Sequence, residues 1–128
     1  MNIGIKKTLT GSFDDVLEMI PAALKAEGFG ILTEIDVQKT LEQKLQIPFR
    51  RYRILGACNP PLAHRALTAE IDAGVMLPCN VIVYEDDNGK VVVTAVDPMQ
   101  TMAHDHAGLE AVAAEVREKL TRVIATLR

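Results

Sequence analysis

The stretch Cys79-Asn80-Val81-Ile82-Val83-Tyr84-Glu85-Asp86-Asp87-Asn88-Gly89-Lys90-Val91-Val92-Val93-Thr94-Ala95-Val96 decides how the rest of the chain must be arranged. Two β-branched runs, Cys79 to Glu85 and Lys90 to Val96, flank a turn that contains Asn88-Gly89. Asparagine and glycine tolerate the positive φ angles of a tight hairpin turn, so the segment predicts two antiparallel strands. A hairpin in this position calls for further strands at its sides and helices over one face.

Outward from the hairpin, the pattern supplies both. Upstream, Arg50 to Cys58 reads as a strand with Tyr52, Ile54, Gly56 and Cys58 on one face and Arg51, Arg53, Leu55 and Ala57 on the other. Gly56 within it marks a bulge or a close backbone approach. Asn59 caps a helix with Pro60 at its first position, running to Glu70, and Asp72 to Pro78 reads as irregular. Downstream, Asp97-Pro98 opens another helical start. A long helix then runs from Asp105 to Arg128, with Leu109, Val112, Ala113, Val116, Leu120, Val123, Ile124 and Leu127 at helical spacing. Its outer face pairs Glu115 with Lys119 and Glu118 with Arg122 at i, i+4.

The N-terminal part repeats this alternation. Asn2 to Leu9 reads as a strand. A helix follows, with Ser12 as N-cap, Asp14 and Asp15 in its first turn, Pro21 inside it as a kink, and Gly28 as the stop. Phe29 to Asp36 returns to period two, with Ile31, Thr33 and Ile35 on one face and Leu32, Glu34 and Asp36 on the other. Asp36 caps a short surface helix, Val37 to Leu45, in which Leu41 and Leu45 face inward. The expected class is α+β, an antiparallel sheet with helices packed mainly on one face.

Bulk properties narrow the function. The 128 residues make one domain, large enough for a core without disulfide or metal staples. A net charge of −3 argues against a nucleic-acid partner, which needs a clustered basic face, and Arg50, Arg51 and Arg53 read as a solvated strand face. No apolar run is long enough for a membrane span and the N-terminus does not read as a signal peptide, so the expected location is cytoplasmic with both cysteines reduced.

The chemistry-bearing residues gather at Gly56-Ala57-Cys58-Asn59-Pro60-Pro61-Leu62-Ala63-His64 and Leu77-Pro78-Cys79-Asn80. If the strands ending at Cys58 and beginning at Cys79 are antiparallel neighbours, the two Cys-Asn pairs meet at one end of the sheet. Cys58, Asn59, His64, Cys79 and Asn80 are therefore the candidate ligand-binding set. Three readings of it stay open: a thiol nucleophile or redox thiol with His64 as base, a metal site of Cys58, Cys79 and His64, or two small buried thiols beside asparagines that lock the loops. Short paired ligand spacings are absent, so no metal site and no cofactor is assigned. His104-Asp105-His106 reads as a helix start capped by Asp105, and Met99 and Met102 as core or interface.

Gly28-Phe29-Gly30 with Thr33-Glu34-Ile35-Asp36, Leu55-Gly56-Ala57-Cys58-Asn59-Pro60, Leu77-Pro78-Cys79-Asn80 and Asp97-Pro98 together resemble the bacterial and archaeal family called domain of unknown function 302. The resemblance covers nearly the whole chain; Pro21 and His104-Asp105-His106 do not share in it. It implies a TBP-like β-α-β4-α arrangement and a homodimer, and it carries no activity. The resulting expectation is a small binding or interaction protein, not assigned as an enzyme, with a small-molecule ligand at the paired Cys-Asn motifs. The alternatives are a thiol-dependent enzyme or redox or metal sensor using Cys58 and Cys79, and a purely structural homodimer module.

Overall fold

The computed structural model of the chain describes residues 3–103 and 106–128. Five strands, β1 (Gly4–Leu9), β2 (Gly30–Asp36), β3 (Tyr52–Cys58), β4 (Cys79–Glu85) and β5 (Val91–Val96), form one sheet in the order β1-β5-β4-β3-β2. Every neighbouring pair is antiparallel. The helices are α1 (Phe13–Ala26), α2 (Val37–Leu45), α3 (Pro60–Ala69), α4 (Pro98–Thr101) and α5 (Ala107–Thr126), with a 3-10 segment at Ile71–Met76 in the stretch read as irregular. The two long helices share the sheet, α1 against β2 and β4 and α5 against β1 and β5. This is the expected α+β arrangement.

Local chemistry sets the element ends. Ser12 Oγ accepts the Asp15 N–H at 3.1 Å to start α1, which continues without a break through Pro21. At its other end Gly28 takes a φ of +86°, and the Gly28 and Phe29 N–H groups turn back to the carbonyls of Lys25 and Leu24. That double return satisfies carbonyls a helix end otherwise leaves unpaired, and it needs a left-handed residue. Asp36 caps α2 through the Lys39 N–H at 2.9 Å. Lys7 Nζ donates to the carbonyls of Ala125 and Leu127, tying β1 to the end of α5.

The core lies between the sheet and the long helices. Ile20, Leu24, Leu120 and Val123 meet Leu55, Val81, Val83 and Val93, all fully buried. Each contributes about 1.5–3 kcal/mol by leaving water. The alternate residues of the central strands make the second face. There the register sets Ile35, Ile54, Ile82, Thr94 and Lys6 side by side in one row, with Tyr52, Tyr84, Val92 and Thr8 in the next.

Three local readings need correction. Ile31 pairs with Ala57 and Thr33 with Gly56, so a bulge at Leu32 changes face within β2. Ile31 is therefore on the helix-covered face, while Thr33 and Ile35 are on the other. Regular alternation cannot reveal one extra residue. Helix α2 has no buried residue, and Leu45 is 59% exposed, because α2 packs mainly beside β3 instead of over the core. Glu115 pairs with Arg65 of α3 at 2.9 Å, since a neighbouring helix offers a cation that helix periodicity alone does not show. The expected Glu118–Arg122 pair is present at 3.2 Å. His106 stands at the N-cap of α5 without a side-chain cap bond, and the expected cap Asp105 lies with His104 outside the described residues.

Candidate functional site

The site grows out of the β3–β4 ladder. Ala57 is the register partner of Cys79 and Gly56 of Asn80, so the two Cys-Asn motifs meet at one sheet end as their positions on adjacent strands required. Cys58 lies one residue beyond the last pair. A Cβ on Gly56 would overlap Thr33 Oγ1 and come within 2.7 Å of Pro78 Cγ, which explains glycine at this position. The close approach presses the Leu77-Pro78 segment against β3.

Beside this sheet end is a cavity of about 310 Å³. Both thiols line it, Cys58 half-buried and Cys79 buried, and neither is in a disulfide. Helix α3 contributes Ala63 and Ala66, α5 contributes Val112 and Val116, and Met102 comes from the turn after α4. The bulged Leu32, 68% exposed, reaches the same cavity. The space follows from size. Ala57, Ala63 and Ala66 are small where two layers meet, so side chains there do not fill the gap between sheet and helices.

The predicted residues separate into two groups. Asn59, 8% exposed, lines the cavity wall. Its Oδ1 accepts the Leu62 N–H at 3.3 Å to cap α3, and its Nδ2 donates to the Glu27 carbonyl at 3.2 Å. One side chain thus pins the start of α3 to the end of α1. Asn80 is exposed, on the sheet face away from the long helices, and its side chain has no hydrogen bond among the described residues. His64 is exposed on α3, outside the cavity lining, and makes no hydrogen bond to either thiol among the described residues. The geometry brings Cys58, Asn59 and Cys79 together and leaves His64 and Asn80 apart.

Electrostatics inside the cavity are those of an apolar space. Among the described residues no charged side chain lines it. Burial pushes the Cys79 thiol up to about 11, with the neighbouring Cys58 adding to the effect, so Cys79 is held as a neutral thiol near pH 7. Among the described residues no three His, Cys, Asp or Glu side chains are grouped as metal ligands. The arginines of β3 and its approach are paired with carboxylates: Arg50 with Asp87 at 2.8 Å, Arg51 with Asp14 at 2.6 Å, and Arg53 with Glu34 and Asp36. Arg51 also lies 4.3 Å over the Phe13 ring.

Sequence reasoning missed the walls contributed by α5, Met102 and Phe29. Their periodicity marks them only as core residues. The signal that could have found the cavity was Ala63 and Ala66 at i, i+3, on the helix that follows a strand ending in Ala57-Cys58.

The comparisons agree with this architecture. A crystal structure described as an uncharacterized conserved protein DUF302 from Bacillus stearothermophilus superposes with a TM-score of 0.91 at 26% identity, covering 100% of both chains. No curated protein matches the sequence. The family model described as Domain of unknown function DUF302 matches residues 5–127. With both sequence and fold matched across nearly the whole length, the chain belongs to the DUF302 family.

Proposed function

We propose that the chain is a small binding protein whose ligand occupies the cavity between β3, β4, α3 and α5. The observation that carries this reading is the 310 Å³ space lined by Cys58, Asn59 and Cys79, a volume within the range of small-molecule sites. Catalysis by a thiol draws less support, because His64 stands outside the cavity and Cys79 is held neutral. Two free thiols facing one cavity suit a reducing compartment such as the cytoplasm. No helix among the described residues is long and apolar enough to cross a membrane. The paired arginines give no support to a nucleic-acid partner.

A second reading, compatible with the first, is that the protein acts as a homodimer. The sheet face away from the long helices favours it. Tyr52 and Tyr84 stack there at 5.4 Å, Ile35 is 47% exposed, and Leu45, Ile47 and Phe49 are also exposed. Exposed apolar side chains of this size favour association.

Two measurements test these readings. A thermal-shift screen should give hits that also slow alkylation of Cys58; hits that leave Cys58 unprotected would place the ligand elsewhere. Light scattering at micromolar concentration should give the dimer mass and Ile82→Lys the monomer mass. A monomeric wild type would remove the assembly reading.

A further inference from the structure

We infer that the cavity takes a neutral, apolar molecule of about a dozen non-hydrogen atoms and discriminates against anions. This rests on the binding-protein reading and adds the ligand class. Size comes first. An apolar cavity of roughly 150 Å³ accepts one benzene, so about twice that volume suits a bicyclic arene or a molecule of similar bulk. The cavity here is about 310 Å³.

Polarity is the second argument. A carboxylate or phosphate entering the cavity would need a cation or several free donors, since an unpaired buried charge is strongly disfavoured. Among the described residues no lysine, arginine or histidine lines it. Arg65 and Lys119 line a separate groove that shares Asn59 and Leu62 with the cavity, and Arg65 is paired with Glu115 there. Asn59 is the one amide among the described lining residues, and each end of its side chain already holds one bond, to Leu62 and Glu27, which leaves a single N–H, fewer donors than a buried anion needs. Beyond that, the described lining offers mainly aliphatic carbon, the Phe29 ring, and the sulfurs of Cys58, Cys79 and Met102. Sulfur and aromatic lining favours polarizable apolar ligands over ions. The raised titration of Cys79 agrees with a site that disfavours negative charge.

The test compares naphthalene with 2-naphthoate, which adds one carboxylate to the same bicycle. The chain has no tryptophan, so naphthalene fluorescence can be followed directly. Naphthalene should bind saturably at one site and slow Cys58 alkylation, while 2-naphthoate binds at least tenfold more weakly. Ala63→Phe, which fills the cavity from a half-buried position, should weaken naphthalene at least tenfold while the unliganded melting temperature stays within a few degrees. If Ala63→Phe does not fold, protection of Cys58 in the wild-type chain decides alone. Equal binding of 2-naphthoate, with Cys58 protected, would overturn the neutral class and leave the cavity as a ligand site. If neither compound protects Cys58 at saturation, the inference is wrong; if no thermal-shift hit protects it either, the binding-protein reading falls too.

Discussion

Replacing Asn59 by alanine separates the two Cys-Asn motifs, which look equivalent in the sequence. Asn59 is nearly buried and makes two bonds, the α3 cap to Leu62 and the bridge to the Glu27 carbonyl. Loss of an asparagine N-cap costs about 1 kcal/mol. Leaving the part-buried Glu27 carbonyl without its donor costs roughly another 1 kcal/mol. The unfolding entropy of a globular chain is about 2.1 cal/mol/K per residue, so a loss of about 2 kcal/mol should lower the melting temperature by about 7 °C for a chain of this length. Asn59→Asp keeps the cap acceptor, adds favourable charge at the helix start and loses the donor to Glu27, so it should recover about half of the loss. Asn80→Ala, exposed and without a side-chain bond, should change stability by no more than about 0.5 kcal/mol. Calorimetry on the three variants in one buffer measures all of this. An Asn59→Ala shift below about 2 °C, or an Asn80→Ala shift as large as that of Asn59→Ala, would refute the assignment of the structural role to the first motif.

Two further outcomes follow from the site. Cys79 titrates higher in the folded chain than an ordinary thiol near 9. Between that value and about 11 the unfolded chain has released the proton that the folded chain keeps, so stability must fall as pH rises through this window. Urea unfolding of wild type and Cys79→Ala should show the wild type losing its advantage there, and parallel pH profiles would contradict the burial of the thiol. Gly56→Ala should destabilise by about 1–3 kcal/mol through overpacking against Thr33 and Pro78, although glycine-to-alanine changes within strands are ordinarily favourable. A neutral or raised urea midpoint would count against that contact.

Most of the fold was legible because its signals are local. Asn88-Gly89 fixes the β4–β5 hairpin, and the caps at Ser12, Asp36 and Asn59 start three helices where their side chains can accept backbone N–H groups. The site was legible only as far as strand adjacency reaches. Adjacency brought Cys58 beside Cys79, and strand alternation already set Asn80 on the face opposite Cys79, but neither could show that His64 is outside the cavity. The position of His64 depends on how α3 is turned once it is packed. The cavity itself depends on space left between α3, α5 and the sheet, and empty volume has no residue of its own to announce it. Leu41 and Leu45 failed for a related reason: i, i+4 spacing defines a stripe, but nothing local says whether another element covers it.

The extra residue at Leu32 also bears on how this chain can change over generations. Point substitutions at Leu32 should be among the mildest in the sheet, since most of its side chain is in water. Removing the codon is another matter. A strand counts its residues in twos, and deletion would pull everything on one side of the gap out of step by one. Either Ile31 would leave the helix-covered layer or Ile35 would be driven into it. A lineage carrying this chain can therefore vary the letter at position 32 at little cost in stability, within what the cavity it borders allows, yet it cannot drop the position without refitting a strand on both of its faces.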